Sequence, residues 1–269
     1  MSAPPGGPAS ILFLLGKPPR PTTIFPRVFD RLRARGLGWR VELPHEAGLV
    51  PKGWPPGALL VHRGLRWPVL ERLAALEAEG WRCCNRVGAS LVAWDRGALM
   101  GVLAAAGVPT PGWRVVEAWG EARRLHAEGG AVVKAADGRR GRGAGVVLPG
   151  APIPAEPAFP GPYLVERFVP NDGWDRKLYV AGAWCRGLLK PWPRDEAAPA
   201  TPFPVDPTLE ALALAVGAAL GLEIYGVDVV LGPDGPCVVD VNPFPSFGGV
   251  EGSAEAVACH LARSASAAA

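Results

Sequence analysis

Three side chains with oxygen donors, Asp228, Asp240 and Asn242, interrupt stretches that otherwise read as buried strand. Residues 227–231 and 237–241 are apolar, β-branched runs on either side of Gly232-Pro-Asp-Gly235, a pattern that predicts a β-hairpin. Period two puts Asp240 and Asn242 on one face, and the hairpin can bring Asp228 beside them. Two carboxylates and an amide oxygen converging on an apolar sheet repel one another and are poorly solvated. A hard divalent cation relieves both problems, and an all-oxygen set suits Mg²⁺, which is usually held by few carboxylates plus substrate phosphates. The bland alternative has Asp228 facing solvent on an amphipathic strand and Asp240 starting a turn. The Asp-x-Asn break in a buried run favours the metal.

The other groups that could do chemistry are spread over the preceding hundred residues. Lys134 ends a predicted strand and is followed by a loop, 138–145, with four glycines and three arginines, then by a second strand. Glycines let backbone N–H groups approach phosphate oxygens, and arginines add forked donors. The loop contains no GxxxxGK[ST] and no helix follows it, so it is not a Walker A motif. Taken alone, it fits a solvated turn equally well. Glu166 lies inside a strand predicted over 163–170. In the next strand Asp175 and Lys177 share a face, and in the one after it, 184–190, so do Arg186 and Lys190.

The elements that must carry these groups follow from periodicity. Strands at 11–15, 39–43 and 58–62 alternate with helices near 23–35 and over 66–79, which predicts a small parallel α/β unit over the first 85 residues. No dinucleotide fingerprint follows its first strand, so this unit is expected to help bind an acceptor rather than a nucleotide. A helix over 93–106, a strand at 113–116 and a helix over 118–128 come next. Residues 195–207 read as a mobile loop and a candidate lid. A helix over 209–220 leads into the hairpin, and another over 251–263 closes the chain.

Composition bounds the rest. The 269 residues, 49% of them hydrophobic, suffice for one large or two medium domains, and the net charge of +3 is too small to imply a nucleic-acid or membrane partner. Five cysteines form no CxxC pair and no even framework, so a reducing cytoplasm is expected. The apolar runs at 11–15 and 211–222 are too short for a signal sequence or a membrane span, which predicts a soluble protein. The histidines, with Cys83-Cys84, show no metal or triad spacing. Lysine occurs five times and asparagine three times, yet Lys134, Lys177, Lys190, Asn171 and Asn242 all fall in candidate site segments.

The order of these pieces (lysine strand, Gly-rich hairpin, Glu strand, Asp-x-Lys strand, Gly-x-Asp strand, Asp-x-Asn strand) resembles the ATP-grasp superfamily over roughly residues 84–265. The segment Asn242-Pro-Phe-Pro-Ser-Phe247 is similar to two branches, the RimK-like glutamate ligases and the inositol trisphosphate kinases. The resemblance implies an α/β (α+β) fold: a small N-terminal parallel α/β domain, 1–84, then a two-subdomain ATP-grasp domain with antiparallel sheets, 85–269, its subdomains at about 85–165 and 166–265.

The resemblance also implies site roles. Asp228, Asp240 and Asn242 would hold Mg²⁺, or Mn²⁺ in its place, against the phosphates of ATP. Lys134 would contact the α-phosphate, while Arg140, Gly141, Arg142 and Gly143 would cover the β- and γ-phosphates. Glu166 and Phe168 would form the adenine hinge, with Lys177 near the nucleotide. Arg186 and Lys190 would face the transferred phosphoryl group. Where the family has Asp-Lys at the start of the domain, this chain has Asp95-Arg96, which leaves that contact open.

The implied activity is an ATP- and Mg²⁺-dependent carboxylate–amine ligase working through an acyl phosphate on a small-molecule or peptide acceptor. The alternative is a kinase of a phosphorylated polyol. Residues 1–85 show no large basic cluster, which weighs against a polyphosphate acceptor. Oligomeric state is not legible.

Overall fold

The computed structural model describes residues 9–44, 57–137, 146–192 and 198–266. Its first unit is a parallel sheet. Strands β1 (Ala9–Leu15), β2 (Gly38–Glu42), β3 (Leu59–Arg63) and β4 (Arg82–Cys84) lie in the order β2-β1-β3-β4, with helices α1 (Phe25–Ala34) and α2 (Trp67–Ala78) between them in the chain. The unbroken apolar run of β1 is needed because both faces of the sheet are covered. Ile11, Phe13 and Leu15 pack with Phe25, Val28, Phe29 and Leu32 of α1. Leu12 and Leu14 pack with Val69, Leu70 and Leu73 of α2.

His62 of β3 is buried, and its Nε2 lies 3.0 Å from the Asn85 carbonyl. Burial lowers its pKa from 6.5 to about 4, against a smaller opposing effect of that hydrogen bond. The neutral ring is therefore the folded form. A depressed histidine contributes stability above the unfolded pKa that is lost as pH falls toward the folded one. Chemical denaturation should accordingly show stability dropping by up to ~3 kcal/mol between pH 6.5 and 4. That slope should flatten in His62→Gln; an unchanged slope would remove His62 as its source.

Helix α3 (Val87–Trp94) and helix α4 (Arg96–Ala105) replace the single helix expected over 93–106. The break is Asp95, with φ −90° and ψ 104°, whose Oδ1 accepts from the Ala98 N–H at 3.0 Å. An aspartate offers the backbone an acceptor that a helix interior cannot use, so it caps instead. Arg96 thereby becomes the first residue of α4.

A second sheet, in the order β5-β8-β6-β7, is antiparallel. It contains β5 (Trp113–Val116), β6 (Val132–Ala135), β7 (Val146–Val147) and β8 (Tyr163–Glu166), with α5 (Trp119–Gly129) between β5 and β6. The strand expected over 163–170 stops at Glu166, which pairs with Trp113 on one side and Val132 on the other. One further bond, from the Arg167 N–H to the Gly112 carbonyl at 2.7 Å, follows before Pro111 on one flank and the left-handed Gly130 on the other end the pairing. The Gly/Arg loop, including Arg140, Gly141, Arg142 and Gly143, lies outside the described residues.

The third sheet carries the central hairpin. It contains β9 (Trp174–Ala181), β10 (Trp184–Pro191), β11 (Thr201–Phe203), β12 (Ile224–Gly232) and β13 (Gly235–Pro243), in the antiparallel order β11-β10-β9-β12-β13. The expected hairpin is present, with Gly232 paired to Gly235. One face, through Leu178, Val180, Val227, Val229, Val238 and Val241, packs on α6 (Pro207–Leu220) and on α3 and α4. At one end of the other face Tyr179, Phe244 and Phe247 join the core of α1 and α7 (Ser253–Ser266).

The candidate lid over 195–207 is corrected in part. Thr201–Phe203 is an edge strand on β10, and Asp206 caps α6 through Leu209 N at 2.9 Å. Gly187 leaves room for the Phe203 ring, which would lie 2.2 Å from a Cβ there. Pro202 is tolerated because the strand is an edge. Residues 193–197 lie outside the described ones.

Asn85 ties the first unit to the third sheet. Its amide donates to the Ile224 carbonyl at 2.8 Å and accepts from the N–H groups of Glu223 and Ile224 at 2.8 and 2.7 Å. Among the described residues no helix is long and apolar enough to cross a membrane.

Candidate active site

A cavity of about 960 Å³ opens where the three sheets meet. From the third sheet it receives Asp175, Lys177 and Tyr179 of β9, Lys190 of β10, Asp228 and Val230 of β12, and Asp240 and Asn242 of β13. Strict alternation along β13 would not put Val238 and Val241 on the same side, yet both lie in one core cluster. The pairing Asp228↔Asp240 followed by Val229↔Val238 leaves Val239 extra, a bulge that shifts the alternation by one residue. As a result Asp228 and Asp240 stand directly opposite each other on the cavity face, and Val239 turns its carbonyl toward β6.

The second sheet supplies the facing charges. Lys134 of β6 and Glu166, the last residue of β8, are diagonal neighbours, with Nζ and Oε2 2.5 Å apart. Lys134 also donates to the Val239 carbonyl at 2.9 Å. Both side chains are nearly out of solvent, at 9% and 2% exposure, so the pair stands or falls together. Glu166 Oε1 is buried with no hydrogen-bond donor among the described residues. Phe168 lines the same wall.

On the third sheet Lys177 Nζ lies 2.5 Å from Asp228 Oδ1, while Asn242 Nδ2 is 3.4 Å from Asp228 Oδ2. Burial would lower the pKa of Lys177. The Asp228 carboxylate, by charge and hydrogen bond, outweighs this, and the net shift is upward from 10.5. Lys177 is thus a firm cation beside the acids.

Arg96 fills the position the sequence left open. Its backbone N–H donates to the Ala136 carbonyl at 2.9 Å and its Nη1 to the Ala135 carbonyl at 2.7 Å, and its Nε is 3.9 Å from Asp240 Oδ1. The α3–α4 break points it there, so a helix running through Asp95 would have displaced it.

The structure brings together Lys134, Glu166, Phe168, Lys177, Lys190, Asp228, Asp240 and Asn242 around one cavity. It does not bring Arg186 there. That side chain is exposed, with its guanidinium 5.6 Å from the Trp184 ring centroid and donating to its neighbour's carbonyl at 2.8 Å. Shared strand parity with Lys190 did not suffice, because four residues along a strand separate the two by about 13 Å.

Sequence spacing also missed two groupings. Lys17, Arg20 and Arg63, far apart in the chain, line the cavity from the parallel sheet. Cys84, Glu223 and His260 lie with donor atoms within 4.8 Å of one another, away from the cavity lining, and His260 Nε2 is 2.9 Å from Glu223 Oε2. Only the Gly16-Lys-Pro-Pro-Arg20 segment, placed directly after the first strand, carried a signal for the first grouping.

A comparison with protein-family models finds no match. A probable alpha-L-glutamate ligase of Legionella pneumophila (strain Paris) is 25% identical over 227 residues, covering 78% of this chain and 72% of that protein. The RimK domain ATP-grasp protein of Sphaerobacter thermophilus superposes with a TM-score of 0.70 at 24% identity, covering 95% of this chain and 98% of that one. The ATP-grasp ligase PsnB, complexed with a minimal precursor, gives 0.69 at 19% identity over 95% and 99% of the two chains. The macrocyclase MdnC of Microcystis aeruginosa MRC, bound to its precursor peptide MdnA, gives 0.69 at 13% identity over 94% and 99%. The chain has the ATP-grasp fold.

Proposed function

We propose that this chain is an ATP- and Mg²⁺-dependent carboxylate–amine ligase, with residues 85–269 binding the nucleotide and 1–84 contributing to the acceptor side. The observation that carries the proposal is the meeting of opposite charges across one cavity. Asp228, Asp240 and Asn242 stand on one wall, with Lys134, Lys177 and Arg96 within reach of the acids or of the adjoining carbonyls. The glutamate ligase relative supports the ligase chemistry, and the kinase alternative draws no support from the relatives described above.

The donor set fits Mg²⁺: two partly buried carboxylates are held face to face at the paired positions of one hairpin, beside an amide. Asp228, Asp240 and Asn242 would hold the ion, which when bound neutralises phosphate charge. Lys134 orients the α-phosphate, and its Glu166 and Val239 partners fix the ammonium in place before nucleotide arrives. Glu166 and Phe168 frame the adenine, and Lys177, paired with Asp228, adds positive charge beside the proposed metal ligands. Arg140, Gly141, Arg142 and Gly143 are assigned to the outer phosphates from their sequence alone. Lys190 is placed toward the moving phosphoryl group, and Arg186 is no longer assigned a role there.

In the reaction an acceptor carboxylate oxygen takes the γ-phosphoryl group, giving ADP and an acyl phosphate. An amine then forms the C–N bond and loses a proton as inorganic phosphate leaves. The chain's residues position and neutralise; no side-chain nucleophile is required. Five free thiols support a reducing compartment, the cytoplasm in this proposal.

Isotope connectivity tests the chemistry. A screen of ATP consumption over carboxylic acids and peptides selects the acceptor, which is then labelled with ¹⁸O in its carboxylate. One label is expected in the released phosphate, and hydroxylamine should trap a hydroxamate. A stable phosphorylated product with ADP but no free phosphate would replace the ligase with a kinase.

A further inference from the structure

The roles assigned above draw on the second and third sheets, whereas the opposite wall of the cavity is built by the parallel sheet. Its strand order reverses between β1 and β3, and in an open α/β sheet the crevice beyond the carboxyl ends at such a reversal is where ligands bind. The loops leaving β1 and β3 touch there. Gly16 N–H donates to the Arg63 carbonyl at 2.9 Å, and a Cβ on Gly16 would sit 1.8 Å from the Gly64 oxygen, so only glycine permits the contact. This contact places Lys17 and Arg20 on one loop and Arg63 on the other, all lining the cavity.

Among the described residues, the parallel sheet and its loops bring no acid to the cavity lining beside these three cations. The acids that line the cavity, Glu166, Asp175, Asp228 and Asp240, all come from the second and third sheets. Among the described residues none of the three cations makes an ion pair. Arg63 is anchored through one nitrogen only: its Nε donates to the Phe244 carbonyl at 3.1 Å, with the guanidinium carbon 5.7 Å from the Phe25 ring centroid. Both Nη groups of its fork remain without a partner among the described residues. A half-buried guanidinium fixed at one edge and open at the other is suited to grip an oxyanion.

We propose that Arg63, with Lys17 and Arg20, binds a second anionic group of the acceptor, a carboxylate or phosphate separate from the carboxylate that is activated. The acceptor is then at least a dianion lying across the cavity, with its reacting carboxylate toward Lys190 and the acids and its second charge against the parallel sheet. This assignment rests on the ligase proposal for the same cavity.

The test is calorimetric titration of the full-length protein, with Mg²⁺ and a non-hydrolysable ATP analogue present, using N-acetylglutamate, N-acetyl-O-phosphoserine and N-acetylglutamine. The third probe matches the first in shape but lacks its second charge. The two probes with a second charged group are expected to bind about tenfold or more tightly than the amide, the scale of a single charge-assisted hydrogen bond. Arg63→Gln should abolish that discrimination. The double variant Lys17→Gln/Arg20→Gln changes exposed side chains only and should reduce it without altering the fold. A stronger response to the phosphoserine probe would identify phosphate as the second group.

Equal affinity for all three probes, no binding of any at millimolar concentration, or full discrimination surviving in Arg63→Gln would overturn the assignment. The isotope and hydroxamate measurements judge the ligase chemistry separately. Charge-dependent binding can survive a negative result there, and a positive result there can coexist with no discrimination.

Discussion

Asp240→Asn is expected to fold and to lose ATP-dependent turnover by about 10³-fold, the scale seen when a preorganised charge that stabilises the transition state is removed. Folding should be spared for a physical reason. Asp240 faces Asp228 across the hairpin, so neutralising one of the two relieves repulsion, and asparagine matches the shape. Its Arg96 contact is long, at 3.9 Å, and the asparagine amide oxygen can keep it. What the variant lacks is one of the two carboxylates that would hold the cation against the phosphates. Steady-state turnover with the acceptor found in the screen, alongside a thermal melt, reads both halves. Near-normal turnover would take Asp240 out of the metal site, whereas a melt lowered by many degrees would make the loss uninformative about chemistry and shift the test to Asn242→Ala.

Lys134→Ala should damage both stability and nucleotide binding, and the two effects can be separated. Truncation strands Glu166, which is 2% exposed, without its cation, and removes the donor to the Val239 carbonyl. Breaking one side of a buried pair costs roughly 3–5 kcal/mol, enough to unfold a marginal domain. Pairing it with Glu166→Gln removes the stranded charge and should recover much of that loss. ATP affinity should not recover, because the phosphate contact is still missing; a weakening of about 10- to 100-fold is expected by calorimetry. If the double variant binds ATP as the parent does, Lys134 is a structural ion-pair partner and the β6–β7 hairpin has no nucleotide role.

What the sequence determined by itself was local and periodic. The runs at 227–231 and 237–241 with a Gly-Pro-Asp-Gly turn can form little other than a hairpin, and Asp-x-Asn at period two can only share a face. The parallel unit was legible for the same reason: β1 is apolar at every position from Ile11 to Leu15 because both its faces are covered, and α1 and α2 repeat at helical spacing. The ordered series of lysine, glutamate, Asp-x-Lys and Asp-x-Asn strands sufficed to suggest the ATP-grasp fold that the structure has.

The tertiary structure decided what depends on pairing partners and on where chain segments meet. Residue 95 broke a helix because its carboxylate caps the next one, and only that break aims Arg96 at Asp240. Thr201–Phe203 became a strand because the edge of β10 was open beside it, a fact invisible in a Pro-containing tripeptide. Arg186 shares a face with Lys190 but lies too far along the strand to reach the cavity, since parity fixes direction and not position. Asn85, one of three asparagines, is a buried brace rather than a site residue. Lys17, Arg20 and Arg63 show no cluster in one dimension. They meet because parallel strands all end at the same edge of a sheet, so loops separated by more than forty residues open onto one crevice.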